Sequence, residues 1–281
     1  MKSILCVVGD GTATTVLETA LLVARRFGSH ITGLNTLTTE YAVVFGGEMG
    51  FSVSSEVDRA LEHEGQERRE SARELFSTFM RDRGVPVGSV VDGGPSGEWR
   101  EEAGRQNAIV GALGRMYDLI IVERPSKLAS LAEATLEDAL FESGRPVLMA
   151  PPSPLQSFGE RIVIAWNNST ETARTVCAAM PILKAAKEVQ VVSVEGSGIA
   201  SDSTGAELAR SLSLHGLPVR ARHVVSRDKT PGEVFVAEAR AVGADLLVKG
   251  AYTQSRLRQM IFGGATRHII MEADMPVLLA H

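Results

Sequence analysis

The chain has 281 residues, 44% hydrophobic and 22% charged, with 29 basic and 34 acidic side chains and a formal net charge of −5. The length predicts two domains of about 150 residues each, and the composition is that of an ordinary globular protein. An acidic balance with only 5% aromatic residues argues against a broad nucleic-acid surface or a set of base-stacking platforms. The apolar runs are strand-sized, as at Ile4 to Val8 and Leu119 to Val122, far short of the roughly 20 residues of a membrane span. The N-terminus, with one lysine and five apolar residues before Gly9-Asp10, is too short for a secretory signal. Cys6 and Cys177 stand far apart without ligand spacing, so buried free thiols in a reducing cytoplasm are expected.

In chain order, short β-branched runs alternate with longer amphipathic segments, the pattern of β-α units on a parallel sheet. Strands are predicted near residues 3–8, 30–36, 86–91, 118–122 and 146–149, then near 161–166, 189–194, 218–225, 245–249 and 276–280. They are almost wholly apolar, as a sheet covered on both faces requires. Between the second and third, Val57, Leu61, Ala72, Leu75, Phe76, Phe79 and Met80 fall on one helical face.

The second five runs repeat the first. Ile4 to Val8 before Asp10-Gly11-Thr12 parallels Ile162 to Trp166 before Asn168-Ser169-Thr170. Val85-Pro86-Val87 parallels Leu217-Pro218-Val219, and Tyr117-Asp118-Leu119-Ile120 parallels Ala244-Asp245-Leu246-Leu247. Arg145 to Ala150 parallels Met275 to Ala280. Pro151-Pro152-Ser153-Pro154 reads as the linker, giving domains 1–150 and 151–281. The first half holds about 26 more residues than the second between matching positions. These surround the apolar, Gly-rich stretch Thr38 to Ser55, either a loop on its own core or a lid or partner surface.

The segment from Lys249 to Arg267 carries the clearest chemical signal. It leaves the fourth apolar run at Gly250, crosses a basic stretch with Arg256 and Arg258, and meets a helical pattern at Gly263-Gly264. Glycines there let backbone approach a ligand, and free N–H groups at a helix start favour an anion. With strand order 3-2-1-4-5, the order reverses between strands one and four, where such sheets bind ligands. Asn167-Asn168-Ser169 ends strand one and would face Gly250; Ser169 is also a fitting helix N-cap. Residues 151–281 carry 14 basic and 12 acidic side chains, against 15 and 22 in residues 1–150, so an anionic ligand suits the second half.

On these residues, the repeat and the Gly250 to Gly263-Gly264 loop resemble the universal stress protein family in its tandem two-domain form, over essentially the whole chain. The resemblance implies two doubly wound parallel-sheet domains of five strands each, order 3-2-1-4-5, packed as a pseudo-dimer through Val147 to Met149 and Val277 to Leu279. It also implies a cytoplasmic stress-response protein binding ATP or another adenine nucleotide in its second domain, with Mg2+ if the ligand is ATP. Gly250 and Gly263 match glycines of the family's Gly-x-x-Gly, nine residues, Gly-Ser/Thr pattern. Thr253 replaces the second glycine, Gly264 stands where serine or threonine is usual, and Asn167 takes the place of an aspartate. Val194 matches the residue whose backbone meets adenine. Ala165, Ser255, Arg256, Ala265 and Thr266 complete the expected site.

The first half is expected to be degenerate, because Glu123-Arg124-Pro125-Ser126-Lys127 follows its fourth strand where the glycine loop would stand. Enzyme patterns are absent from the sequence. It has no Gly-x-Ser-x-Gly elbow and no Gly-x-x-x-x-Gly-Lys-Ser/Thr loop, and its six histidines lack metal spacing. Asn167 is no general base at neutral pH, so slow ATP hydrolysis is the most the site offers. The expected partners are a small nucleotide, a protein and further copies of the chain through Tyr41 to Phe51, with neither nucleic acid nor membrane. A nucleotide-free interaction module, its basic loop meeting a protein, is the alternative.

Overall fold

A computed structural model of the chain describes residues 1–9, 13–37, 55–126, 130–195, 203–226, 228–251 and 264–281. The first half contributes β1 (Ser3–Val7), α1 (Ala13–Phe27), β2 (His30–Leu37), α2 (Ser55–Asp82), β3 (Ser96–Ala103), α3 (Gln106–Gly114), β4 (Leu119–Val122), α4 (Leu131–Glu142) and β5 (Val147–Met149). The second contributes β6 (Arg161–Trp166), α5 (Thr170–Leu183), β7 (Glu188–Val194), α6 (Thr204–Ser213), β8 (Val219–Val224), α7 (Pro231–Ala241), β9 (Leu246–Gly250), α8 (Gly264–Glu272) and β10 (Val277–Ala280). All ten strands form one sheet, in the order β3-β2-β1-β4-β5-β10-β9-β6-β7-β8. Each half therefore follows the expected 3-2-1-4-5 order. Neighbours are parallel except at the centre, where β5 and β10 run antiparallel with Val277 opposite Met149, Leu278 opposite Leu148 and Leu279 opposite Val147. The last strands meet across an internal pseudo-two-fold, as the resemblance implies.

Alternation along the strands fills two apolar layers. Ile4, Cys6, Ile164 and Val248 join Leu17, Phe76, Val176 and Leu212 under α1, α2, α5 and α6. Leu5, Val7, Ala165 and Leu247 join Val110, Leu140, Phe235 and Ile269 under α3, α4, α7 and α8. At about 1.5–3 kcal/mol for each large apolar side chain fully buried, these layers dominate the stability. Two arginines add polar ties across the halves. Arg26 donates to the carbonyls of Phe158 (3.0 Å), Gly159 (3.2 Å) and Ala185, and Arg124 donates to the Ile270 carbonyl (2.8 Å) in the last turn of α8.

The Tyr-Asp and Ala-Asp repeat has a structural cause. Asp118 accepts from the backbone amides of Lys2 (2.6 Å) and Ser3 (3.2 Å) as β1 begins. Asp245 does the same for Glu160 (3.1 Å) and Arg161 (2.9 Å) at the start of β6. Partial burial works against ionisation of Asp118, but those amides, the N-terminal charge and Arg145 hold its carboxyl below the usual range.

Three expectations change. The third strand of the first half is Ser96–Ala103, not residues 86–91; Val87 makes only an isolated bridge to Gly97, on the outer side of β3. The Val-rich stretch has the residue types of a strand, but Gly88 and Gly93 have positive φ and Val90 is exposed. The strand that forms instead, SGEWREEA, is polar because an edge strand needs little burial and tolerates charge; Arg100 and Glu102 pair on it at 2.6 Å. Cys177 is exposed, because Val176, Ala179, Ile182 and Leu183 set the buried face of α5 and leave it outward; Cys6 is buried as expected, and burial pushes its thiol pKa up. Of the α2 face, Ala72, Phe76, Phe79 and Met80 are buried while Leu75 is exposed.

The extra length of the first half is partly accounted for by α2, which runs 28 residues against 10 in α6. The Tyr41 to Phe51 stretch and Asp10 lie outside the described residues. Among the described residues no helix is long and apolar enough to cross a membrane.

Candidate functional site

β6 and β9 lie side by side, with Ile164 opposite Val248, but their chains depart to opposite faces of the sheet. β6 feeds α5 in one layer and β9 leads towards α8 in the other. Their carboxyl ends therefore bound the crevice where this topology binds ligands.

The turn after β6 is built from polar side chains. Asn168 has φ +57, a left-handed conformation that asparagine adopts more readily than most residues. It swings the chain into α5, where Ser169 is the N-cap and accepts from the Thr172 amide at 3.2 Å. Asn167, 7% exposed, accepts through Oδ1 from Ser169 Oγ (2.9 Å) and Thr172 Oγ1 (2.5 Å). An aspartate at this position would offer the same acceptor, so the asparagine preserves the turn while removing a negative charge from the crevice.

Gly250 ends β9 directly beneath that turn. A Cβ there would lie 2.3 Å from the Thr172 nitrogen and 2.6 Å from the Glu171 carbonyl carbon, so the first turn of α5 requires this glycine whatever binds nearby. Gly264 differs. It begins α8, and among the described residues nothing lies within 4 Å of where its Cβ would be. Thr266 is buried in the same first turn, with Ala265 half-buried. On the facing strands, Ala165 and Val194 are buried in the layer that α7 and α8 cover.

Lys249 is the residue whose importance the sequence understated. It appears there as one of several basic residues around a loop, yet it is only 4% exposed in a strand buried at all five positions. Its Nζ donates to the Gly250 carbonyl at 3.0 Å. Burial pulls its pKa down to about 8, with the Glu171 carboxylate opposing the shift. Glu171, at the start of α5, is itself held below the usual carboxylate range: partial burial works against this, but its own amide, the hydroxyls of Thr170 and Ser169, and His281 prevail. A lone lysine in an otherwise apolar strand was the available signal.

Thr253, Ser255, Arg256 and Gly263 lie outside the described residues. The other expected site residues, Ala165, Asn167, Val194, Gly250, Gly264, Ala265 and Thr266, all belong to the strand ends and helix starts of the second half. At the corresponding end of β4, Arg124 is committed to α8 and Pro125 is buried without an amide to offer. Elsewhere, a depression of about 490 Å3 follows α2 past Ser71, Leu75, Phe79 and Arg83. It is a helix flank remote from the strand ends.

Residues 160–281 match the family model of the Universal stress protein family. The second half of the chain is similar to that family. A 49-residue stretch is 35% identical to the stress response protein NhaX of Bacillus subtilis, covering 17% of this chain. The chain spans 30% of the length of that relative. The whole fold is shared with solved structures. A universal stress protein from Archaeoglobus fulgidus aligns over 99% of this chain and 95% of its own, with a TM-score of 0.72 at 16% identity. A putative universal stress protein from Pseudomonas aeruginosa aligns over 100% of this chain and 93% of its own, with a TM-score of 0.57 at 19% identity. At such identities the likeness concerns fold alone, and it extends over both halves.

Proposed function

We propose that this protein is a cytoplasmic stress-response regulator that binds one adenine nucleotide per chain, ATP being the first candidate, in its second half. The observation that carries this reading is the crevice at the carboxyl ends of β6 and β9, where Asn167 removes an anionic charge and α8 begins at a glycine with no described residue within 4 Å of where its Cβ would be. Amides at such a helix start suit a phosphate. With ATP as the ligand, Mg2+ would arrive with the phosphates. Occupancy would act by altering a surface for a protein partner.

The first half supports a stoichiometry of one, because Arg124 is engaged elsewhere and Glu123 brings negative charge to the matching position. Titration calorimetry of the full chain with ATP is expected to give one site of about micromolar affinity or weaker, near −8 kcal/mol. Two equivalent sites would refute the one-site reading. No heat with any adenine nucleotide would favour a nucleotide-free interaction module.

A further inference from the structure

Lys249 stands near the carboxyl end of β9, between Leu247 and Ala251, which belong to the apolar layer covered by α7 and α8. Alternation along a strand puts Lys249 on that same face, shared with Ala165 and Val194. Gly250 occupies the other face, against α5. The ammonium can donate three hydrogen bonds. Among the described residues its acceptor is the Gly250 carbonyl, and no carboxylate oxygen lies within ion-pairing distance. Burying a charge without a paired counter-charge is costly, and a leucine or methionine would satisfy the same strand without that cost. The arrangement suits a site completed by an anion from outside the chain, and a lysine ammonium is a compact point charge well matched to phosphate oxygens.

We infer that Lys249 is the phosphate-binding side chain of the second-half crevice and makes that crevice selective for polyphosphate-bearing ligands over the bare nucleoside. The inference rests on the nucleotide reading above for its ligand class, and supplies the side chain that would hold it.

The test compares the full-length wild type with Lys249→Met and Lys249→Arg by calorimetry, using ATP, AMP, adenosine and inorganic tripolyphosphate, with thermal melts establishing that each variant folds. Lys249→Met is expected to weaken ATP and tripolyphosphate by about tenfold or more, with adenosine unchanged. Lys249→Arg should retain part of the ATP affinity. Equal weakening of ATP and adenosine would make Lys249 a packing residue and overturn the inference. Unchanged ATP binding by Lys249→Met would overturn it too, while leaving the nucleotide reading standing. Lysine-dependent binding of tripolyphosphate without preference for ATP would do the reverse, sustaining the anion site and removing the nucleotide. No binding of any probe by the wild type would overturn both.

Discussion

Gly250→Ala is expected to destabilise the protein by about 3 kcal/mol or more, although it adds a single methyl group in a buried strand. The obstacle is the backbone of α5, whose Thr172 nitrogen and Glu171 carbonyl carbon lie 2.3 and 2.6 Å from the new Cβ. A side chain could rotate away; a helix turn held by the Ser169 cap and the Asn167 cluster cannot. The methyl group must push α5 off the sheet or distort β9 between its neighbours. Urea unfolding should show a lower midpoint with little change in slope. Gly264→Ala provides the contrast, since no described residue lies within 4 Å of the new Cβ; its effect on stability should stay within about 0.5 kcal/mol.

Lys249→Met is expected to act in the opposite direction and raise the stability of the ligand-free protein at pH 7 by up to ~3 kcal/mol. Burial lowers the lysine pKa from 10.5 to about 8, so at neutral pH the folded protein carries an ammonium that the unfolded chain solvates better. Between about pH 8 and 10.5 the unfolded chain binds the proton that the folded protein has released, and wild-type stability rises with pH. The advantage of the methionine variant should therefore be full below pH 8 and fade as the pH approaches 10.5. Glu171 is the acid whose charge acts on this lysine; its carboxylate stays ionised throughout this range. Denaturation series for both proteins from pH 7 to about 10 measure the convergence. A constant difference would show that the lysine proton is not responsible.

Much of the architecture was legible because buried parallel strands advertise themselves. Ile4 to Val7, Leu119 to Val122, Ile162 to Trp166 and Leu246 to Val248 are apolar on both faces, and their repetition, with the resemblance it carries, implied the meeting of Val147 to Met149 with Val277 to Leu279. β3 escaped because an edge strand is selected for pairing without full burial; its Glu98, Arg100 and Glu102 break the apolar pattern of a buried strand, while the valines just before it fit one. At the candidate site the sequence set the turn after β6 facing Gly250, where the structure has it, but gave no measure of how closely the two backbones approach. Glycine spacing says that something approaches closely. It does not say whether that something is a phosphate or the neighbouring helix, and for Gly250 the helix is the contact in the structure. Lys249 was read with its basic neighbours because sequence proximity carries no measure of burial.

The pairing of β5 with β10 also bears on how the molecule comes apart. Both apolar layers contain residues from the two halves, and Leu148 and Leu278 at the seam are fully buried. Loss of either half would expose that seam to water, and loss of the second would strip both Arg26 and Arg124 of their carbonyl partners. The halves are thus coupled energetically as well as by the chain, and the expected unfolding unit is the whole ten-stranded sheet. Residues 152–154 of the connecting segment are exposed, so its contribution is to hold the two halves at high effective concentration rather than to supply the contacts that join them.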